Sequence, residues 1–328
     1  GAFLLVDRGS PSYGQRFLPE HQKKYQPYFG EPGIGNVYMA NAVSVDGMVQ
    51  GSPKAKLPSA TSGWQTPRRN LLSFGDTFDL VEGVYDGEYH TETPVSEKTL
   101  TDLVTDHGLD EMAEIIAYNA KLKEIGQHSI HVTHNRKVIF IKPEKFWVVI
   151  DEVSGQGSVY TQNWNFPPPD VGMNSSTGFQ APADRKLYYD KNYALGYTPN
   201  EVRFDRKTKR IFTISHNRPN IAILNFADAT VRYTQHYGDM FPWRGWHSFG
   251  IGGEKVPAVS MEGSWRGTAP MVTVLYPALS RKGGSKTILD QLGGFTEKSS
   301  TTVSGFELKQ KDKSRTVQAS RQAQSLTA

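Results

Sequence analysis

Residues 129–153 read SIHVTHNRKVIFIKPEKFWVVIDEV, and this stretch decides the fold. Two runs rich in β-branched and aromatic residues, 129–141 and 146–153, lie on either side of the turn-forming sequence KPEK at 142–145. Runs of this kind are typical of strands, and a short polar connection between two of them predicts a hairpin. We therefore start from an antiparallel strand pair and extend the prediction in both directions.

The strand pattern continues on both sides of this hairpin. Upstream, residues 78–89 alternate well, and residues 36–46 end at the hairpin signal Asp46-Gly47. Downstream, residues 158–166 are followed by three prolines, which cannot donate to a strand ladder. Further short strands are predicted at 202–204, 210–215, 221–226, 230–237, 258–262, 271–276 and 304–308. They recur at intervals of roughly 8–15 residues, the spacing of an antiparallel sandwich.

One segment interrupts the strands. Apolar residues recur at helical spacing near 106–125, and Gly126 ends that run, which predicts one inserted helix packed on a sheet edge. Nothing reads as a βαβ unit. The sequence therefore predicts an all-β fold, a multi-stranded antiparallel β-sandwich, over residues 1–308. The polar stretch 309–328 is predicted to be a flexible C-terminal tail.

Composition narrows the class of protein and of partner. The chain has 328 residues, a formal net charge of +4 and no cysteine, which excludes disulfides and thiol chemistry. No run of 18 apolar residues occurs, so no membrane span is predicted. The mild positive charge favours anionic partners such as uronate polymers or nucleic acid. No nucleic-acid-binding fold signature is present, so we expect no nucleic-acid partner.

The segment from Arg8 to Tyr28 interleaves cations with tyrosines inside a long loop, and long loops in compact domains are often functional. A cation can pair with the carboxylate of an acidic sugar, while tyrosine stacks on the ring or bonds to hydroxyls. An ordinary solvated loop remains an open alternative. The candidate substrate-binding residues are Tyr13, Arg16, His21 and Tyr25.

Motifs for other chemistries are absent from the sequence. The glycine-rich stretch 30–35 contains Pro32 and is followed by no predicted helix, so we do not expect a phosphate cradle there. His131 and His134 are three apart on a strand and should face opposite sides, which argues against one shared metal. The remaining candidates are isolated histidines, predicted to be ordinary hydrogen-bonded residues: His216, His236 and His247.

Four stretches, taken in order along the chain, carry a family resemblance. They are GAFLLVDRG at 1–9, ANAVSVDGMVQ at 40–50, the hairpin with its His134, Arg136 and Asp151, and Gly245-Trp246 followed by VTVLYP at 272–277. Together they resemble the C-terminal region of heparinase II/III-type polysaccharide lyases. Matches run from residue 1 to about residue 277 in the family's order.

This resemblance implies a two-part enzyme that cleaves uronate-containing acidic polysaccharide, of alginate or glycosaminoglycan type, by β-elimination. An α/α toroid would precede this chain, which would supply the β-sandwich. The family's main catalytic residues lie upstream of residue 1, so we expect no catalytic residue in this chain. The expected partners are an anionic polysaccharide and an N-terminal toroid domain or subunit, in the periplasm or outside the cell.

The same resemblance bears on a metal. Family members with zinc in the sandwich use an upstream histidine, the aspartate that matches Asp7, and a histidine at the position of Ala40. An alanine cannot ligate a metal, so we expect the zinc site to be lost or rebuilt. Asp7 would then pair with a nearby arginine or cap the loop.

Two other functions stay open at this point. A uronosyl epimerase of related architecture would use the same proton abstraction but return the proton. A non-catalytic glycan-binding sandwich would bind without turnover. The chain begins with an apolar strand and without an initiator methionine, which predicts a piece of a longer chain or a processed subunit.

Overall fold

The structure is a computed structural model, and it describes fourteen stretches of the chain together with Leu5. The stretches are residues 41–50, 71–92, 94–110, 112–167, 197–205, 210–215, 219–226, 230–240, 243–248, 255–267, 270–278, 295–299, 303–310 and 313–320. Within them the chain is almost entirely antiparallel strand, with two helices in one connection. The predicted antiparallel β-sandwich with a helical insertion is therefore confirmed.

The strands are numbered here in chain order. They are β1 (Val43–Val45), β2 (Val49–Gln50), β3 (Leu71–Phe74), β4 (Phe78–His90), β5 (Ser129–Ile141), β6 (Phe146–Gly155), β7 (Val159–Asn165), β8 (Val202–Asp205), β9 (Arg210–Thr213), β10 (Asn220–Phe226), β11 (Arg232–Tyr237), β12 (Asp239–Met240), β13 (Trp243–Arg244), β14 (Trp246–Ser248), β15 (Lys255–Pro257), β16 (Val259–Arg266), β17 (Met271–Ala278), β18 (Phe295–Ser299), β19 (Val303–Gln310) and β20 (Lys313–Ser320). The helices are α1 (Glu97–His107) and α2 (Ala113–Ile125).

Two sheets form the sandwich. Sheet A has four strands in the order β1-β7-β16-β11. Sheet B has nine, in the order β2-β4-β5-β6-β17-β10-β9-β8, with β3 also paired to β4. Three smaller sheets are β12-β13, β14-β15 and β18-β19-β20. All these pairings are antiparallel, as the sequence analysis predicted when it started from the hairpin at 129–153.

The centre of sheet B is buried on both faces, as β6 shows. Its sequence FWVVI is a nearly continuous apolar run, which is typical of a strand covered on both sides. Val149 and Val153 face sheet A and join the apolar clusters between the sheets. Val148 and Ile150 belong to a third cluster on the other side of sheet B. Each fully buried side chain of this size contributes roughly 1.5–3 kcal/mol.

The predicted turns are present. Asp46 and Gly47 both have positive φ, 50° and 74°, which suits the tight turn between β1 and β2. The amide of Met48 donates to the carbonyl of Val45 at 2.7 Å to close it. At the other hairpin, residues 142–145 connect β5 to β6, and the amide of Lys145 donates to the carbonyl of Ile141 at 2.8 Å.

The helical insertion differs from the prediction of one helix near 106–125. Two helices are present, because the chain breaks at Gly108, whose φ of 84° is not helical. The first helix begins earlier than predicted, at a capping residue that the apolar pattern does not reveal: the Ser96 hydroxyl accepts from the Thr99 amide at 3.1 Å. Neither helix has the length and apolarity needed to cross a membrane, as far as the described residues go.

A buried amide attaches α2 to the segment that connects β4 to α1. The Asn119 side chain on α2 accepts from the amide of Val95 at 2.7 Å and donates to its carbonyl at 3.3 Å. Leu103, Met112 and Ile115 pack with Val95 into a small separate core. The two helices thus have their own apolar core and a polar anchor.

The C-terminal stretch also differs from its prediction. Instead of a flexible tail throughout 309–328, residues Lys313–Ser320 form β20, which pairs with β19 over its whole length. The stretch is polar, but Thr316, Val317 and Ala319 are compatible with a strand. Pairing with a partner strand decided the conformation, and local composition did not contain that information.

Candidate functional site

The polar residues of the family-like hairpin meet at one carboxylate between the two sheets. Asp151 lies in the middle of β6 and is completely buried. Arg136 is its direct partner across the β5–β6 ladder. His134 lies two residues earlier on β5, so it projects from the same face as Arg136. The hairpin register therefore brings an arginine and a histidine to one acid.

Asp151 is held by hydrogen bonds on both oxygens. Arg136 makes a bidentate contact, with Nε to Oδ1 at 2.6 Å and Nη2 to Oδ2 at 2.9 Å. His134 Nε2 lies 2.7 Å from Oδ1, and it donates because an ionised carboxylate can only accept. Gln162 on β7 donates its Nε2 to Oδ2 at 2.6 Å. We call these four residues the Asp151 network.

The protonation state of Asp151 follows from these contacts. Burial alone would raise its pKa, but the Arg136 charge and the hydrogen bonds from His134 and Arg136 outweigh burial, so its pKa lies well below the usual range. Arg136 shows the reciprocal effect: burial opposes its charge, yet Asp151 raises its pKa. The pair is therefore ionised throughout the ordinary pH range.

Gln162 extends the Asp151 network into a second layer of buried polar groups. Its Oε1 accepts three hydrogen bonds, from Trp164 Nε1 at 3.0 Å, Asn225 Nδ2 at 3.2 Å and Thr273 Oγ1 at 3.0 Å. These residues come from β7, β10 and β17, so the amide joins sheet A to the middle of sheet B. A buried amide satisfied in this way fixes how the sheets lie on each other.

Arg136 also reaches the segment that precedes β1. Its Nη1 donates to the carbonyl of Asn41, next to Ala40 in the sequence. The Asn41 side chain accepts from the amide of Asn165 at 2.8 Å, and the carbonyl of Ala42 accepts from the amide of Asn163 at 2.9 Å. The start of the second family-like motif is thus fixed to the third.

Neither Asp151 nor its tyrosine neighbour is placed to act on a substrate. The acid is closed off by its donors, and its lowered pKa makes it a poor base. Burial, followed by the charges of Tyr85 and Asp151, raises the pKa of Tyr89, and Arg136 only partly opposes this. Because Tyr89 is also completely buried, it stays protonated. The arrangement positions chain segments and does not itself perform proton transfer.

A second charged cluster was missed by the sequence reasoning, which treated His236 as isolated. His236 Nδ1 lies 2.5 Å from Asp239 Oδ2, and its Nε2 lies 3.3 Å from Glu262 Oε2. Arg244 Nε lies 2.9 Å from the other oxygen of Glu262. Asp239 lies only three residues after the histidine, so the sequence could have indicated this contact. Glu262 comes from the neighbouring strand β16 and could not have been found in this way. We call these four residues the His236 ring.

The residues predicted to bind substrate lie outside the described part of the chain. They are Tyr13, Arg16, His21 and Tyr25. Asp7 and Ala40, the positions that bear on the metal, lie outside it as well. These assignments therefore stay predictions. Among the described residues, Arg136 bonds to Asn41, which follows Ala40 in the sequence.

The donor set for a metal does not fit the zinc site that the resemblance implies, because Ala40 offers no ligand. The two histidines of β5 also point apart: His134 faces Asp151 in the core, whereas the exposed His131 contacts Asp86 at 2.9 Å. No group of three His, Asp or Glu side chains suited to a metal occurs among the described residues.

Comparison with known proteins shows that this chain is similar to solved structures in its fold. No family model matches the chain, and no curated protein matches it. The crystal structure of heparan sulfate lyase HepC from Pedobacter heparinus aligns with a TM-score of 0.50 and 12% identity, over 98% of this chain and 35% of that one. A mutant of HepC gives the same TM-score and identity over 97% of this chain and 34% of that one.

The chain therefore spans about a third of the length of the lyase structures that it resembles. At 12% identity the likeness concerns the fold. The resemblance to heparinase II/III-type lyases that the motifs indicated is confirmed at that level: this chain has a polysaccharide lyase-like antiparallel β-sandwich.

Proposed function

We propose that this chain is the C-terminal β-sandwich part of a polysaccharide lyase that cleaves a uronate-containing polysaccharide, of alginate or glycosaminoglycan type, by β-elimination. One observation carries the proposal. Arg136 joins two family-like motifs in a fold that HepC shares: it pairs with the buried Asp151 across the hairpin and donates to the carbonyl of Asn41 in the motif at 40–50. Asn41 and Arg136 are 95 positions apart in the sequence, and this bond brings their motifs together.

The reaction defines what the two parts of such an enzyme must do. A base removes the proton from the carbon that bears the carboxylate, and the electron pair expels the glycosidic oxygen from the next carbon. The product carries a double bond at its new end. That proton is weakly acidic while the carboxylate keeps its charge, so the site must neutralise the carboxylate and place a base nearby.

In this proposal the helical toroid supplies the base, and the sandwich supplies charge and support. Arg16 would pair with a substrate carboxylate, and Tyr13, His21 and Tyr25 would contact the sugar. The Asp151 network supports this arrangement by fixing Asn41, and a positioning role of this kind needs a rigid, buried anchor. The partner would be an anionic polysaccharide in the periplasm or outside the cell.

The test is an elimination assay on the natural protein that contains these residues, with alginate and glycosaminoglycans as substrates. The unsaturated product is followed by its ultraviolet absorbance. We expect turnover in the wild type and at least a tenfold loss in Arg16→Ala and in Tyr25→Ala, equivalent to about 1.4 kcal/mol or more of transition-state stabilisation. Arg266→Ala, at an exposed position on β16, is the matched control and should keep full activity.

Two outcomes would replace the proposal. Exchange of solvent hydrogen into the sugar without an unsaturated end would indicate a uronosyl epimerase. Binding of the polysaccharide without either product, in a chain that includes the upstream region, would indicate a glycan-binding module. Unchanged rates in both loop variants would remove Arg16 and Tyr25 from the site and leave the fold assignment intact.

A further inference from the structure

A short two-stranded ribbon extends from the edge of sheet A. It consists of β12 and β13, and it directly follows the edge strand β11. Asp239 and Arg244 are directly opposite each other in the ribbon, so one acidic and one basic side chain form a cross-strand pair. Opposite charges at such a pair stabilise the ribbon.

Two glycines with positive φ form the base of the ribbon. Gly238 and Gly245 have φ of 71° and 75°. A Cβ on Gly245 would lie 2.6 Å from the amide nitrogens of Tyr237 and Gly238, which leaves no room for a side chain there. The carbonyl of Gly245 accepts from the amides of Gly238 and Ala258, both at 2.8 Å. These two amides report whether the base is closed.

The His236 ring joins this ribbon to sheet A. Each charged residue of the ribbon contacts one of sheet A: Asp239 with His236 at 2.5 Å and Arg244 with Glu262 at 2.9 Å. His236 and Glu262 contact each other at 3.3 Å. Signs alternate around the four side chains when the imidazole is protonated. Glu262 and His236 are both largely buried, so their charges are poorly screened by water.

The balance of charge depends on one proton. With His236 protonated the ring has two positive and two negative charges; with it neutral, the four side chains carry one negative charge in excess. His236 and Arg244 both contact Glu262 as ion pairs, so attraction between opposite charges contributes to these contacts when the imidazole is protonated. The charge of Arg244 also acts on Glu92, which follows β4. Burial raises the pKa of Glu92, although the hydrogen bond from Tyr118 and the charge of Arg244 oppose this.

We propose that the His236 ring is a pH-sensitive latch that holds the β12–β13 ribbon against sheet A while His236 is protonated and releases it when the proton is lost. The described groups that face the imidazole are Asp239 from β12, Glu262 from β16 and, beyond Glu262, Arg244 from β13. The latch concerns the sandwich alone and does not depend on the proposed lyase activity.

The direction of the pH effect can be derived. Burial by itself would lower the pKa of His236, but the hydrogen bond and charge of Glu262 and the bond to Asp239 outweigh burial and the opposing charge of Arg244, so its pKa is raised. A raised pKa in the folded state means that the stabilisation is complete below the unfolded value of about 6.5 and is lost as pH rises through the folded value.

Hydrogen exchange of the whole chain, resolved at the amides of Gly238 and Ala258 and corrected for the intrinsic effect of pH, tests the latch. Protection should be constant at low pH and should fall above the folded pKa of His236, by at most tenfold per pH unit because one proton is linked. In His236→Gln protection should be low and independent of pH. In Asp239→Asn the fall should begin at lower pH, because one carboxylate no longer supports the protonated ring.

Two controls make the result interpretable. Strands β10 and β17 contain no histidine, so their paired amides should keep constant protection over the same pH range. His131→Gln removes an exposed histidine bound to Asp86 and should leave the pH profile of Gly238 unchanged. Flat protection of Gly238 and Ala258 in the wild type, or a pH-dependent fall that persists in His236→Gln, would overturn the proposal.

Discussion

The Asp151 network and the His236 ring use the same groups, a histidine and an arginine around a carboxylate, but they differ in how their charge is fixed. Asp151 is completely buried and held by a bidentate arginine, so its charge is permanent over the ordinary pH range. The His236 ring includes Asp239, whose side chain is 46% exposed, and its charges balance only when the imidazole is protonated. Position in the sandwich thus decides whether such a cluster is a fixed anchor or a responsive contact.

The largest expected effect is at the anchor. Asp151→Asn leaves the partly buried Arg136 beside a neutral partner, and removing one member of a largely buried ion pair costs about 3 kcal/mol. Urea unfolding followed by circular dichroism measures the loss. The matched control is Asp86→Asn, the same change at a partly exposed pair with His131, which should cost less than about 1 kcal/mol. Similar losses in both variants would mean that burial does not distinguish the two sites.

The second-largest effect is expected at Gln162, and it tests whether the groups around Asp151 act as one network. Gln162→Leu removes the acceptor of three buried donors and one donor to Asp151, so we expect a loss of about 2 kcal/mol in the same unfolding measurement. Thr161→Val, one residue earlier, is the control because Thr161 bonds only to the partly buried Ser264 among the partners described. A loss at Gln162 no larger than at Thr161 would remove the amide from the account.

The third prediction contrasts the pH dependence of the two clusters. The stabilisation by Asp151 should be full above its unfolded pKa of about 3.9 and lost only as pH falls toward its lowered folded value. The stabilisation by His236 should be lost as pH rises, with a slope of at most about 1.4 kcal/mol per pH unit. Unfolding free energies of Asp151→Asn and His236→Gln, each subtracted from wild type across pH, should therefore change in opposite directions. Parallel profiles would contradict the assignment.

The smallest effect lies outside both clusters. Ser96→Ala removes the N-cap of α1 and should cost about 1 kcal/mol of stability in the helical insertion. Hydrogen exchange should report the loss in α1 and leave β5 and β6 unchanged, because the insertion has its own small core. Exchange that increases equally in α1 and β6 would show that the insertion does not behave as a separate unit.

Local sequence predicted the parts of the fold that local contacts determine. The β5–β6 hairpin and the Asp46-Gly47 turn were predictable because turn chemistry and strand pattern are short-range signals. The division of the helical segment was missed because α1 is mostly polar and buries only Leu103, so its apolar period is weak. Strand β20 was missed because its composition is polar and its pairing partner decides its conformation.

The same limit applies to the two clusters. Arg136 and Asp151 face each other across a hairpin, so their contact follows from register once the turn is known. Gln162 reaches Asp151 from the other sheet, and Glu262 reaches His236 from a neighbouring strand, so neither contact has a sequence signal. The loop residues predicted to meet substrate depend on motif resemblance alone and remain predictions.

The account depends most on the claim that Arg136 and Asp151 meet as a buried pair that anchors the sandwich. A double-mutant cycle in unfolding free energy, with Arg136→Met, Asp151→Asn and both changes together, tests it directly. We predict a coupling of about 2–3 kcal/mol, because each single change leaves one charge of the pair without its partner, whereas the double change removes both charges. Losses that add to within about 0.5 kcal/mol would contradict the claim.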